Sequence, residues 1–178
     1  EPMIWLTNKF NRSPAELMWA KSDKWGPLEG QLLELSYGMG RIFLNLFEKV
    51  NGQRQGGQVK LPIEDFKSGV MRGRFNAIDG QLYALGMFAW AGNKHGAGAF
   101  YRVRYTGKPT YVPTGLHASK KGLELEFPIA LANVKAEQFM VSSWHIKRTK
   151  NYGSRHQNTK SLKVDSVRLS ADKKKVFL

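Results

Sequence analysis

Short runs of alternating apolar and polar residues, punctuated by glycine, fill this chain, and no i, i+3, i+4 stripe lasts longer than about two helical turns. A period of two predicts strands, because successive side chains then point to opposite faces. Gly30-Gln31-Leu32-Leu33-Glu34-Leu35-Ser36-Tyr37 is a strand candidate ending at Gly38-Met39-Gly40. Arg41-Ile42-Phe43-Leu44-Asn45-Leu46-Phe47-Glu48 resumes the pattern, with Ile42, Leu44 and Leu46 out of phase with Phe43 and Phe47. A glycine hairpin is expected between the two, and Asn51-Gly52 marks another, since both residues tolerate the positive φ angles of a type I′ turn. Val70-Met71-Arg72-Gly73-Arg74-Phe75 leads through Asn76 and Asp79-Gly80 into Gln81-Leu82-Tyr83-Ala84-Leu85-Gly86, and Ala99-Phe100-Tyr101-Arg102-Val103-Arg104-Tyr105 closes that unit. The expected class is all-β.

Glu29-Gly30-Gln31-Leu32-Leu33-Glu34-Leu35 is echoed by Asp79-Gly80-Gln81-Leu82-Tyr83-Ala84-Leu85. Self-similarity at about 40–50 residues is the mark of propeller blades, each a four-stranded antiparallel sheet. A ring closes with about 4–8 blades, so the blades here are expected to need further blades or a partner chain. Composition shifts at Gly107-Lys108-Pro109, with Pro113 following, which reads as a linker. The organisation expected is β-propeller blades over residues 1–109 and an immunoglobulin- or fibronectin-like β-sandwich over 110–178. Lys175-Val176-Phe177-Leu178 reads as a strand, so the sandwich is expected to be incomplete and the natural chain to continue.

Composition narrows the chemistry. The chain has 178 residues, is 42% hydrophobic and 12% aromatic, which is too rich in core material for a disordered tail. No apolar run reaches the length of a membrane span, and no charged start followed by an apolar run marks a signal peptide. With no cysteine, disulfides, thiolate zinc sites, iron–sulfur clusters and covalent c-type haem attachment are excluded from these residues. Lys and Arg number 28 against 14 Asp and Glu, a formal charge of +14. Nucleic acid, an anionic polysaccharide and an acidic partner are therefore all admitted by charge.

Several ordered blocks carry a likeness: Trp25-Gly26-Pro27-Leu28-Glu29-Gly30-Gln31-Leu32-Leu33, Phe47-Glu48-Lys49-Val50-Asn51-Gly52-Gln53-Arg54-Gln55-Gly56-Gly57, Ser68-Gly69-Val70-Met71-Arg72-Gly73-Arg74-Phe75, Asp79-Gly80-Gln81-Leu82-Tyr83, Arg102-Val103-Arg104-Tyr105-Thr106-Gly107-Lys108-Pro109 and Asn151-Tyr152-Gly153-Ser154. From Ser22 onward the chain resembles bacterial sorbosone/glucose dehydrogenase-like proteins of the quinoprotein type. The resemblance implies a six-bladed propeller followed by an immunoglobulin-like module, export to the periplasm or exterior, and frequent fusion to a c-type cytochrome. It also implies a PQQ cofactor with calcium, and haem on a separate domain. In such dehydrogenases an Arg-Asn pair opening a blade strand helps hold the quinone, and a histidine on another blade is the base. Arg72 matches the arginine, whereas Gly73 stands where the asparagine would be. The blades bearing the base and calcium ligands are expected to precede this segment.

Arg72 and Arg74 alternate along one strand and so share a face, where paired guanidinium groups could clamp a quinone carboxylate or a sugar acid. The structural alternative is a set of inter-blade salt bridges. His95 lies in the glycine-rich stretch Ala91-Gly92-Asn93-Lys94-His95-Gly96-Ala97-Gly98, which reads as a loop able to place an imidazole over a propeller mouth. Tyr37 sits at a strand end where glycines permit close approach by a ligand, or simply make a tight turn. Trp90, with Trp5, Trp19, Trp25 and Trp144, offers faces for sugar stacking, the alternative being blade packing. His117, His145 and His156 have no metal-ligand spacing and read as surface residues. Ser143, His145 and Asp165 lack the strained elbow of a nucleophile, which argues against hydrolysis.

Basic residues concentrate from Lys147 to Lys175 with few aromatics among them. This reads as a solvated face that meets acidic polysaccharide or an anionic envelope rather than a nucleic-acid site, so nucleic acid is not the expected partner. The function expected is the C-terminal part of an exported propeller protein whose whole chain oxidises a sugar or alcohol and passes electrons to a c-type cytochrome. The alternative is a non-catalytic carbohydrate-binding or envelope-interaction protein on the same scaffold. Nucleic-acid binding, resting on charge alone, ranks last.

Overall fold

A computed structural model describes residues 2–89, 94–150 and 155–178. Strands β1 (Pro14–Trp19), β2 (Leu32–Ser36), β3 (Arg41–Val50) and β4 (Gln53–Lys60) form an antiparallel meander in that order. The β2–β3 register sets Leu33 opposite Leu44 and Leu35 opposite Ile42, and all four side chains are fully buried. A slip by one residue would turn all four to the opposite face, so the apolar phase fixes the pairing. At the β3–β4 turn Asn51 (φ 48°) and Gly52 (φ 85°) both take left-handed backbone, as the Asn-Gly pair predicts.

A second antiparallel meander follows, built from β5 (Gly69–Phe75), β6 (Leu82–Ala89) and β7 (Lys94–Val103). Its inward residues Val70, Leu82 and Ala84 join Leu33, Leu35, Ile42 and Leu44 of the first sheet in a single core cluster. Each fully buried leucine or isoleucine contributes about 1.5–3 kcal/mol relative to exposure. At Gly73 a Cβ would lie 3.0 Å from Leu35 and Leu82 and 3.1 Å from Met18. The absent side chain lets β5 settle onto β1 and β2. Trp25, in a short 3-10 turn at Asp23–Leu28, meets Phe75 edge-on with ring centroids 5.0 Å apart and belongs to the same core.

His95 falls on β7 and not in the loop expected for residues 91–98. The reason is pairing: Gly98 stands opposite Met87, and Gly96 N donates to Lys67 O at 3.0 Å. Residues 94–98 of that stretch, whose composition reads as loop, are thus held extended by pairing with their neighbours.

Beyond the linker, β8 (Gly115–Ser119), β9 (Gly122–Glu126), β12 (Arg168–Leu169) and β13 (Lys175–Phe177) form a four-stranded sheet in the order β12-β13-β9-β8. Between β9 and β12 in sequence, β10 (Val141–His145) and β11 (Gln157–Leu162) form a two-stranded ribbon. Among the described residues after 109, the buried apolar side chains are Val112 and Val176. Val112 lies in the core cluster of the first two sheets and Leu116 packs against it, so that core extends past the break at Gly107-Lys108-Pro109. The molecule is all-β, and among the described residues none of the antiparallel sheets closes on itself.

Candidate functional site

The β5–β6 register places Arg72 opposite Leu85 and Arg74 opposite Tyr83. The β6–β7 register then sets Leu85 opposite Phe100 and Tyr83 opposite Arg102. Both arginines therefore share the outward face of this sheet with an apolar row, as their alternation requires. Arg72 donates from Nη1 to the carbonyls of Ala15 (3.1 Å) and Met71 (2.9 Å). Arg74 pairs with the Glu16 carboxylate, whose other oxygen accepts from Gly73 N at 2.7 Å. That contact ties β1 of the first sheet to β5 of the second.

Beside the arginines, the Tyr83 and Phe100 rings stack with centroids 5.5 Å apart at 23°. With Arg74, Asn76 and Ala77 they line an open groove of about 500 Å³. Tyr83 donates its hydroxyl to Asp79 at 2.7 Å, and Asp79 also accepts from Gln81 N at 2.9 Å. The Gln81 amide and the Tyr83 hydroxyl hold the Asp79 carboxyl below its ordinary value, and that carboxylate in turn pushes the phenol up. Tyr83 is thus a hydrogen-bond donor and stacking surface, not a base.

Tyr37 donates to the Phe88 carbonyl at 2.7 Å, and the Phe88 ring lies 6.4 Å from that of His95. The structure thus brings Tyr37 and His95 to one place, around Phe88 at the end of β6. Trp90 lies outside the described residues. The arginines stand further along the sheet, their guanidinium groups engaged by backbone carbonyls and Glu16.

Two clusters escaped the sequence reading. On the face of the first sheet turned away from the core, Glu34 is buried and accepts from Asn11 and Gln58, each at 2.5 Å. Gln58 also donates to Asn45 at 2.9 Å, and Ser36 donates to Asn11 at 2.8 Å. Burial pushes the Glu34 carboxyl above its ordinary value against the pull of the two amides. Alternation with Leu33 and Leu35 marks Glu34 as facing away from the core. Its cover comes from the N-terminal segment, where Phe10 packs on Phe43 at 5.2 Å, and no local pattern announces that. The second cluster joins β3 to β8: Glu48 contacts His117 Nδ1 and accepts from Ala118 N (2.8 Å) and Gln55 Nε2 (2.6 Å). Burial pulls Glu48 upward, but the hydrogen bonds from Ala118, His117 and Gln55 outweigh it and leave the carboxyl below its ordinary value.

Among the described residues no group of three or more His, Asp or Glu side chains could hold a metal ion. The arginines are committed to other partners, and the position after Arg72 is a glycine pressed against Leu35, Leu82 and Met18. As they stand, the two guanidinium groups are turned to Glu16 and to backbone carbonyls rather than toward one common acceptor. Compared with protein-family models, curated proteins and solved structures, the chain matches none.

Proposed function

We propose that this chain is a scaffold segment of a sorbosone dehydrogenase-like propeller protein, with blades in residues 1–109 and a sandwich-type module in 110–178. In this reading the whole exported polypeptide oxidises a sugar or alcohol and passes electrons to a c-type cytochrome, and the residues described here supply packing surfaces. One observation carries the reading. The outward face of β5–β7 exposes Leu85 (53%), Met87 (46%) and Phe100 (66%), while its inward face is already packed on another meander of the same kind. Two stacked meanders fall short of the about 4–8 blades that close a ring, and an uncovered apolar sheet face fits a further blade or a partner chain.

The test is to supply the natural full-length polypeptide with PQQ and calcium and follow reduction of an artificial dye over a panel of aldoses and their alcohols. Substrate-dependent reduction is expected, with Arg72→Ala leaving quinone affinity unchanged. Loss of quinone binding in that variant would place the cofactor on this chain and end the scaffold reading.

A second reading, a non-catalytic carbohydrate-binding or envelope-interaction protein, is favoured by Gly73. The family's asparagine is replaced there by a residue whose added Cβ would sit tightly, 3.0–3.1 Å from Leu35, Leu82 and Met18. Absence of dye reduction across the panel, with retention on immobilised polysaccharide, would put it first.

A further inference from the structure

We propose that the β10–β11 ribbon docks a linear acidic polysaccharide, a polymer that carries carboxylates or sulfates between its hydroxyls. The sequence between Glu137 and Asp165 contains no acidic residue but holds Lys147, Arg148, Lys150, Arg155, Lys160 and Lys163. Folding puts this charge on an open surface. Every residue of β11 is exposed, as are Ser142, Ser143 and His145 of β10. A strand advances about 3.3 Å per residue, so the six residues of β11 offer an extended track of roughly 20 Å. Such a track suits a stretched polymer better than a compact ligand.

The register adds shape. Ser143 pairs with Lys160 and His145 with Gln157, so β11 carries one extra residue in a bulge, where Asn158 takes φ 51°. A bulge sharpens twist and re-aims side chains. Opposite it, Trp144 stacks on His156 with ring centroids 3.8 Å apart at 12°. Arg148 lies over the Trp5 ring at 5.1 Å.

These pairings favour a glycan over nucleic acid. Sequence-tolerant binding of single strands uses free aromatic faces on which bases stack. Here one face of Trp144 is taken by an imidazole and one face of Trp5 by a guanidinium. The exposed positions of the ribbon carry hydroxyl and amide groups at Ser142, Ser143, Gln157 and Thr159, divided between its two faces, with Lys160 on β11 beside Ser143 and the exposed cations Lys147, Arg148, Lys150 and Arg155 beyond the strand ends. Hydroxyls and amides match sugar hydroxyls, and lysine and arginine match carboxylates or sulfates.

The experiment measures retention of the full chain on immobilised polygalacturonate and on heparin against rising salt, with thermal melting as the check on folding. The triple variant Lys150→Glu, Arg155→Glu, Lys160→Glu should weaken binding by at least about tenfold. A control with the same change in net charge elsewhere, Lys9→Glu, Lys21→Glu, Lys108→Glu, should retain it. Should the reversal fail to fold, the three corresponding glutamine substitutions should still lower affinity several-fold. Equal loss in ribbon and control variants would reduce the effect to net charge and overturn the proposal. So would binding of a single-stranded oligonucleotide more tightly than either polysaccharide at the same ionic strength.

Discussion

At Gly73 the absence of a side chain is a structural device, because a Cβ there would press to within 3.0–3.1 Å of the terminal carbons of Leu35, Leu82 and Met18. Gly73→Val should therefore cost about 1–3 kcal/mol through overpacking, with Gly73→Ala costing less, both read from urea unfolding. An unchanged midpoint for the valine variant would mean that the two meanders do not meet there. Glu48 makes a pH prediction. Its folded value lies below the ordinary one, so its hydrogen bonds to Ala118, His117 and Gln55 contribute stability above the unfolded value. That contribution is lost as pH falls through the folded value. Stability measured from neutral pH down through the carboxylate range should fall less steeply in Glu48→Gln than in the parent chain. Glu34 has the opposite sign: burial raises its carboxyl, so its contribution improves as pH falls through the raised value. The substitution at Glu48 isolates one limb from the other.

The strands differ in how openly they declare themselves. In β2 and β3 the alternation of Leu33 and Leu35, and of Ile42, Leu44 and Leu46, states both the element and its inward face, and these residues are buried. Strand β4 reads Gln-Arg-Gln-Gly-Gly-Gln-Val-Lys, with little intrinsic preference for a strand. It is extended because the Asn51-Gly52 turn delivers it against β3, where Val59 falls opposite Leu44 and Gln58 opposite Asn45. The outward face of β5–β7 supplies the prediction at this scale. The double variant Leu85→Lys, Phe100→Lys should cost the isolated chain no more than about 2 kcal/mol, from the lost Tyr83–Phe100 stack and the two like charges set opposite each other. If the face docks a partner copy or blade, as proposed, the same variant should weaken that association in sedimentation velocity. A loss of several kcal/mol would show that this chain covers the face itself.

At the scale of the molecule, the two stacked meanders leave apolar side chains exposed on their outward faces. The first sheet has its outward face partly covered by the N-terminal segment through Phe10 and Asn11, yet Leu17 and Trp19 remain 61% and 47% exposed. The second sheet presents Leu85, Met87 and Phe100. On the proposed reading, docking of a further blade or a partner chain should slow amide exchange along β7, which is an edge strand among the described residues and open to pairing. Unchanged exchange on assembly would mean that the partner docks elsewhere.

The sequence by itself determined the β class, the Asn-Gly turn, the inward phase of the main hairpin and the shared face of Arg72 and Arg74, because each follows from the chirality and two-residue period of a local backbone. Only the tertiary structure decided what those residues touch. Arg74 meets Glu16 across 58 positions and His117 meets Glu48 across 69. Asn11 reaches Glu34 and Gln58 across 23 and 47. Such partners are chosen by how sheets stack and where a covering segment lies, and a periodic pattern fixes which face a side chain takes but not which neighbour that face will meet.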